Sequence, residues 1–596
     1  MCGIIGEIRR KGRVDAERLG RLRDILAHRG PDGAGLWVSP DGSAALGHRR
    51  LALVDLSDSG RQPMGNETGN LWLTFNGEIY NHKQLRAELT ARGHRFSSTT
   101  DSEVLLHGFE EWGRAVLDRV KGMFAFAIYD NDSGALFLAR DRFGIKPLYY
   151  HAGRDFFIFA SELKAIRAHP EVPQDIDYSS VCDFFTYRYV PSPKSILKAV
   201  KKLAPAHCLT LSRDFSVNGG RYYELKSGRL SPPEKEAVER VDSLLADSVK
   251  YHVDADVKVG SFLSGGYDSS AILLYQKRAG YEPVAFALGF EGWEKSEHFA
   301  ARMVAKHLGA SLETKMIGPE SLSLLSTLAE VYDEPLADIS TVPTYEISRV
   351  ASQRVKAVVS GEGADEIFGG YGWHRTIYDD WRGLGRLKRA ALSQGQLGRG
   401  WFVNRYAQAM AMGRYDEKSL KSLIHPDLKK FVPADSDWFY RQNLPTGAGA
   451  VRNFQLADIR CFMGELVLTK IDRASMAHSL EVRVPFLDHE LVEYALSLDE
   501  TLAYKPDSPK FLLRENIKDA LPRAIMNRKK QGFVGPDSYY ADISFYREGL
   551  REALSVRDGI IRQRAVDELL FQGDHWRLWK VLVFENWYRR WRGNDG

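Results

Sequence analysis

The chain has 596 residues, 44% hydrophobic and 27% charged, which suits two large α/β or α+β domains, each with its own core. Its 82 basic and 78 acidic residues leave a net charge of +4, too small at this size to indicate nucleic acid or an anionic surface as partner. No stretch holds the roughly 18 uninterrupted apolar residues of a membrane span, and the amino terminus lacks a basic and apolar leader, so a cytoplasmic protein is expected. The four cysteines, Cys2, Cys182, Cys208 and Cys461, are too scattered for a zinc motif or a disulfide framework, and the last three are expected to be buried.

Up to about residue 165 the pattern is short β-rich runs with turn residues. Leu71–Phe75 before Asn76-Gly77, and Phe124–Tyr129 before Asp130-Asn131-Asp132, predict strands and hairpins. The stretch 166–234, with Pro191-Ser192-Pro193 and Pro232-Pro233, predicts a bridge. Beyond it, helical periodicity is interrupted by apolar runs at Val259–Leu263 and Val355–Val359, each followed by glycine, the order of parallel strands with crossover helices. The expected domains are therefore 1–205, including the linker, and 235–596. Gly-rich sequence near 383–400 predicts a loop within an added helical segment, and Trp576–Trp591 predicts a packing helix in preference to a membrane-surface one.

Cys2 combines chemistries. If Met1 is removed, the residue carries a thiol and an α-amine, and about 400-fold more of that amine than of a lysine amine is neutral at pH 7. A local base beside a thiol activates it as a nucleophile. The accompanying motifs are His28-Arg29-Gly30-Pro31-Asp32, Arg50-Leu51-Ala52-Leu53-Val54-Asp55, Asn76-Gly77-Glu78-Ile79-Tyr80-Asn81, Thr100-Asp101-Ser102-Glu103, Gly122–Phe126 and Arg140-Asp141. Singly they are bland: Asn76-Gly77 reads as a hairpin turn, Arg50 as a surface cation, Asp101 as a helix N-cap. Jointly and in this order they resemble the class II glutamine amidotransferase domain, an N-terminal-nucleophile (Ntn) α+β fold of four αββα layers. The resemblance implies that Cys2 attacks the glutamine amide and that Asn76 and Gly77 supply the oxyanion hole. Arg50 would clamp the substrate carboxylate, Glu78 and Asp101 would hold its ammonium, and Leu51, Leu53 and Val54 would line the pocket.

Ser264-Gly265-Gly266-Tyr267-Asp268-Ser269-Ser270 follows an apolar strand and opens a helix, a geometry that aims backbone N–H groups at phosphate. It lacks the Gly-Lys-Ser/Thr of a Walker A loop and resembles the pyrophosphate loop of enzymes that split ATP into AMP and pyrophosphate. A second glycine-rich turn, Ser360-Gly361-Glu362-Gly363-Ala364-Asp365, makes Asp268 and Asp365 the natural Mg²⁺ ligands, since magnesium prefers hard oxygen. With Lys470–Asp488 and Arg528-Lys529-Lys530-Gln531-Gly532-Phe533, the whole chain resembles glutamine-dependent asparagine synthetases, with an α/β parallel-sheet synthetase half. That resemblance implies ATP as co-substrate and Mg²⁺, with Leu263, Ser264, Gly265, Gly266, Asp268, Ser269, Ser270, Leu288, Ser360 and Gly361 binding the nucleotide. Glu362 would take a proton from ammonia, Lys530 would neutralise the α-phosphate, and the protein would be a homodimer.

Asp472, Arg473, Arg483 and Asp488 read either as site residues or as an ion-pair network behind the site. Tyr267 stands where leucine is usual in the family, and Pro343 where some members carry an arginine near the acceptor. L-Aspartate is the expected acceptor; another carboxylate, such as a uronic acid, an antibiotic precursor or a peptide, is the alternative, and a glutaminase-type regulator is the rival from a different class.

Overall fold

The computed structural model describes residues 2–392, 395–445, 449–528 and 531–593. Alternation along the first strands builds the amino-terminal layers. On strand Gly3–Arg9, Ile5 faces the helix Ala16–Asp24, sharing a core with Leu19 and Leu22, whereas Ile4 and Ile8 face a second sheet. On strand Gly122–Asp130, Ala125, Ala127 and Tyr129 meet them from that sheet, and Phe124, Phe126 and Ile128 turn outward onto Leu85, Leu89 and Leu105 of two further helices. The result is helix, sheet, sheet, helix. The spatial order of the first six-stranded sheet is Lys201–Lys202, Tyr149–Ala152, Phe156–Ala160, Gly3–Arg9, Ala44–Arg50, Gly33–Val38. The second runs Val217–Arg221, His207–Leu211, Ala135–Arg140, Gly122–Asp130, Leu71–Ile79, Met64–Gly65, so the two strands at one of its edges lie beyond residue 205.

Strand Leu71–Ile79 passes straight through Asn76-Gly77, with Asn76 opposite Ala125 and Gly77 opposite Phe124. The expected hairpin is absent there. Glycine is required at 77 by crowding, since a Cβ would stand 2.1 Å from the Met123 carbonyl oxygen, and not by a turn.

The carboxy-terminal half carries a five-stranded parallel sheet in the order Ser311–Ile317, Val284–Phe290, Val259–Phe262, Ala357–Val359, Glu481–Arg483. The chain moves outward from Val259–Phe262 on one side and returns as Ala357–Val359 on the other, so a crevice opens beyond the carboxyl ends of these two strands. The Ser264 and Ser360 turns lie there. The expected loop at 383–400 is instead mostly helical, Arg386–Leu392 and Gly395–Ala409, residues 393–394 lying outside the described residues. Burial of Phe402, Val403, Tyr406 and Ala407 outweighs the roughly 1 kcal/mol helix penalty of each glycine. Helix His575–Gly593 buries Leu578, Trp579 and Phe584 and is the expected packing helix. Among the described residues no helix is long and apolar enough to cross a membrane. Cys182, Cys208 and Cys461 are buried and free.

The halves meet over buried charge. The Arg29 guanidinium, fully buried, donates to the Cys2 carbonyl at 3.1 Å, to Glu162 at 2.8 Å and to both oxygens of Asp472 at 2.9 and 3.1 Å. Arg473 pairs with Asp333 and, at 3.3 Å, with Glu162. Arg483 reaches Glu78 at 2.9 Å and pairs with Glu481. Asp472, Arg473 and Arg483 thus form a network between the halves, whereas Asp488 caps helix His489–Ser497, accepting from the Glu490 and Leu491 N–H groups. Such a network adds little net stability over an apolar core, but deleting one partner strands the rest, at about 3–5 kcal/mol. Burial alone would raise the Glu162 carboxyl; Arg473, then His28 and Lys164, hold it well below 4.5. Its stabilisation is complete above that value and is lost as pH falls through the lower folded value. Glu162→Gln is therefore expected to cost about 3–5 kcal/mol in denaturant unfolding at pH 7, with the gap to wild type narrowing in acid; a gap that stays constant contradicts the assignment.

Candidate active sites

The Cys2 backbone N–H donates to Asn76 Oδ1 at 3.0 Å. That orients the Asn76 amide so that Nδ2 is buried and, among the described residues, lacks a partner. An orphan buried donor costs about 1–3 kcal/mol, and it is what an oxyanion hole presents before the oxyanion forms. Burial pushes the Cys2 thiol up, while a positive amino terminus and the Leu51 backbone N–H act the other way. Met1 lies outside the described residues.

Cys2, Arg50, Leu51, Leu53, Val54, Gly77, Glu78 and Asp101 share the wall of one cavity of about 40 Å³. This is little more than one water's share of liquid, about 30 Å³. Arg50 explains the closure. Its guanidinium donates to the carbonyls of Ser57, at 2.7 Å, and Asp55, folding the Leu51–Gly60 segment over the thiol. A substrate carboxylate would have to draw Arg50 off these carbonyls. Burial pushes the Glu78 carboxyl well up; Arg483 opposes this and the Asp101 charge adds to it. Asp101 accepts the Ile79 N–H at 2.8 Å. It is not the helix N-cap: Thr100 is, accepting from the Glu103 N–H.

In the crevice of the second half, Gly265 has φ +73°, and a Cβ there would stand 2.5 Å from the Ala300–Ala301 backbone. Ser264 Oγ accepts the Gly266 N–H at 3.2 Å and meets Ser269 Oγ at 3.0 Å, which fixes the turn. A cavity of about 480 Å³ is lined by Leu263, Ser264, Asp268, Ser269, Ser360, Gly361, Glu362 and Asp365 among others. It adjoins one of about 430 Å³ that shares Ser264, Asp268 and Gln531 and adds Gly266. The pair has the size of a nucleotide and acceptor site. Gly265 and Ser270 support the turn from behind, and Leu288 is buried in its strand away from the wall. Glu362 Oε2 is buried without a partner among the described residues. Lys530 lies outside the described residues.

Sequence reasoning missed Lys510. Its ammonium lies between Asp268 and Asp365, at 2.5 and 2.7 Å. A sequence signal was present, a cation placed just before the helix Phe511–Ile517, where it opposes the helix dipole; the structure adds that Lys510 has φ +55°, a conformation that lysine adopts only where surroundings impose it. Lys510 gives the two carboxylates a cation where a metal ion would neutralise them. This carboxylate pair, the glycine turn and the orphan Glu362 oxygen fit a Mg²⁺-bound nucleotide. Tyr267 also has a job, since its hydroxyl donates to the carbonyls of Met526 and Arg528 at 2.7 and 3.1 Å, tethering the segment that leads to Lys530. The same cavity is also lined by Arg188, Lys470, Asp338 and the aromatic rings of Tyr371, Trp373 and Phe462. Among the described residues, the Arg188 guanidinium has only the thioethers of Met410 and Met412 as hydrogen-bond acceptors, both at 3.8 Å. Its Nε is buried without a partner among the described residues.

Fold and sites together define a two-centre amidotransferase, with a thiol amidase layered against a nucleotide-cleaving half. The family described as "Glutamine amidotransferase domain" matches residues 1–223, and that described as "Asparagine synthase" matches residues 240–589. Asparagine synthetases [glutamine-hydrolyzing] 1 and 3 of Bacillus subtilis are each 32% identical, covering 99% and 96% of this chain and 96% and 93% of their own lengths. A protein of Gibberella zeae named amidase chry2 is 28% identical over 91% of this chain and 90% of its own. The chain belongs to the glutamine-hydrolysing asparagine synthetase family and is a ligase of that type.

The Gly265 geometry allows no side chain. Gly265→Ala is expected to lower ATP-dependent amidation by about tenfold or more and to leave glutamine hydrolysis within about twofold; steady-state assay of both half-reactions checks it, and unimpaired amidation would contradict it.

Proposed function

We propose that the protein converts L-aspartate, L-glutamine and ATP into L-asparagine, L-glutamate, AMP and pyrophosphate. The observation that carries this reading is the cluster of Asp268, Asp365, Lys510 and the Glu362 oxygen, unpartnered among the described residues, where two cavities adjoin, in the same chain as the Cys2–Asn76 pair at another.

In the amidase half, the Cys2 thiolate attacks the glutamine amide carbon, the α-amine of a processed Cys2 takes the thiol proton, and Asn76 Nδ2 and the Gly77 N–H receive the oxyanion. Ammonia leaves, and water releases glutamate from the thioester. Each oxyanion donor is worth about 3–4 kcal/mol in the transition state. In the synthetase half the acceptor carboxylate attacks the α-phosphorus of ATP, expelling pyrophosphate and leaving an acyl-adenylate, because a free carboxylate is too poor an electrophile for ammonia. Ammonia then displaces AMP, and Glu362, whose Oε2 lacks a partner among the described residues, takes the proton it sheds. Asp268 and Asp365 would hold Mg²⁺, which supplies charge neutralisation to the phosphates when bound. Lys510, already between them, would then turn to the phosphate charge, and Lys530 would join it.

Aspartate as acceptor is supported by Arg188. A guanidinium that has, among the described residues, only sulfur hydrogen-bond acceptors, on the wall of the cavity that Glu362 also lines, fits an acceptor with a second anionic group. Lys470, which donates to Ser340 Oγ at 2.7 Å, lies on the same wall. Pro343 is buried in helix Thr341–Ala351 and offers no cation, so that task would fall to Arg188 and Lys470. The aromatic wall, with Tyr371 and Trp373 stacked at 3.9 Å, and a relative named an amidase favour, as second reading, a larger carboxylate with the same second anion.

Aspartate-dependent pyrophosphate release with asparagine formed is the expected outcome with wild-type protein; pyrophosphate only with another carboxylate selects the second reading. Cys2→Ala is expected to abolish glutamine-dependent turnover and to spare ammonia-dependent turnover within about threefold; loss of both in folded protein would contradict the division of labour. Arg188→Gln is expected to raise the acceptor KM about tenfold or more, with the ATP KM within twofold. An unchanged acceptor KM removes Arg188 from the acceptor site.

A further inference from the structure

On the outer face of the amidase half, away from both cavities, three segments converge. They are the turn before strand Leu71–Ile79, the residues following helix His82–Ala91, and the helix Asp101–Trp112. They bring together Glu67, His94 and His107, each with a ligand atom within 4.8 Å of the others. His107 Nδ1 stands 3.5 Å from Glu67 Oε2 and 3.2 Å from Glu110 Oε2, and His94 Nδ1 stands 3.7 Å from the same Glu110 oxygen. In a tetrahedral zinc site with bonds of about 2.0–2.2 Å, neighbouring ligand atoms lie about 3.3–3.6 Å apart.

The outward-facing atoms of the same side chains are already occupied. Glu67 Oε1 accepts the Arg95 N–H at 3.1 Å, Glu110 Oε1 accepts from Asn66 Nδ2 at 3.0 Å, His94 Nε2 meets Glu111 Oε2 at 3.2 Å, and His107 Nε2 faces Glu103 at 3.8 Å. Each candidate ligand is thus fixed from behind by a carboxylate, an amide or a backbone N–H, the arrangement that orients metal-bound imidazoles and carboxylates. The charge balance points the same way. Four carboxylates, Glu67, Glu103, Glu110 and Glu111, surround two imidazoles, with Arg92 pairing only to Glu111 among them.

We propose that Glu67, His94, His107 and Glu110 form a structural site for Zn²⁺ or a similar transition-metal dication. The ligand set of two imidazoles and two carboxylates suits that class, and a hard ion that prefers all-oxygen ligands suits it less. The metal ties the Glu67 turn and the His94 segment to the helix whose first residue, Asp101, lines the glutamine cavity. It is a staple and takes no part in the reaction.

The test uses the full chain, stripped with a chelator, in excess Mg²⁺ so that the carboxylates of the synthetase half are satisfied. Zinc is titrated against the thermal unfolding midpoint, and Co²⁺ is added as a spectroscopic probe. Expected are about one metal per chain by elemental analysis, a midpoint raised by at least about 2 °C, and the visible absorption of tetrahedral Co²⁺. Glu67→Gln with His94→Gln, at an exposed and a partly buried position, should fold as judged by circular dichroism and bind at least about 100-fold more weakly. His107→Gln is read alongside. Wild-type binding in the double variant, or a stripped protein that shows neither a midpoint shift nor Co²⁺ absorption, would overturn the site and leave a hydrogen-bonded His–Glu cluster.

Discussion

Arg29 is buried completely, and its guanidinium is divided among the Cys2 carbonyl, Glu162 of the amidase half and Asp472 of the synthetase half. A charge in that position cannot be left unpaired, so the strand that begins directly after Cys2 and the helix Leu468–Met476 are held in one arrangement. Arg483 imposes the same constraint from the other side, since its partner Glu78 lines the cavity that Cys2 also lines. Ammonia at neutral pH is mostly ammonium, and a fixed relation between the centres is what an enzyme needs if ammonia is to be used before it is protonated. The buried pairs supply geometry in preference to net stability.

Much of this was legible in sequence because the signals were periodic or tied to sharp backbone requirements. Alternating strands gave the layered amidase half, and apolar runs ending in glycine gave the parallel sheet. The cavity residues from Cys2 to Asp101 were legible as motifs. The glycine-rich helical segment was misread because packing of Phe402 and Tyr406 overrides local propensity, and Asn76-Gly77 because glycine serves crowding as well as turns. Long-range pairings such as Arg29 with Asp472, separated by 443 positions, leave no local trace. Lys510 left one, but propensity alone could not say which carboxylates it would meet.

Both centres are held in a substrate-free balance by their own charges. Arg50 is satisfied by loop carbonyls, and Lys510 by the two aspartates. Asn76 Nδ2 and Glu362 Oε2, both without a partner among the described residues, are groups whose partners, in the proposed reaction, exist only during turnover. Binding thus trades internal partners for ligand ones, which lets the sites be both stable when empty and complementary to developing charge.

The central claim is that nitrogen released at Cys2 is the nitrogen that enters the product. Glutamine with an isotopically labelled amide, given with Mg-ATP, aspartate and excess unlabelled ammonium, tests it directly by mass spectrometry of the amide formed. The account predicts product labelled well above the level set by mixing with the unlabelled pool. Product carrying only the pooled label would contradict it, and would make the two halves separate enzymes on one chain.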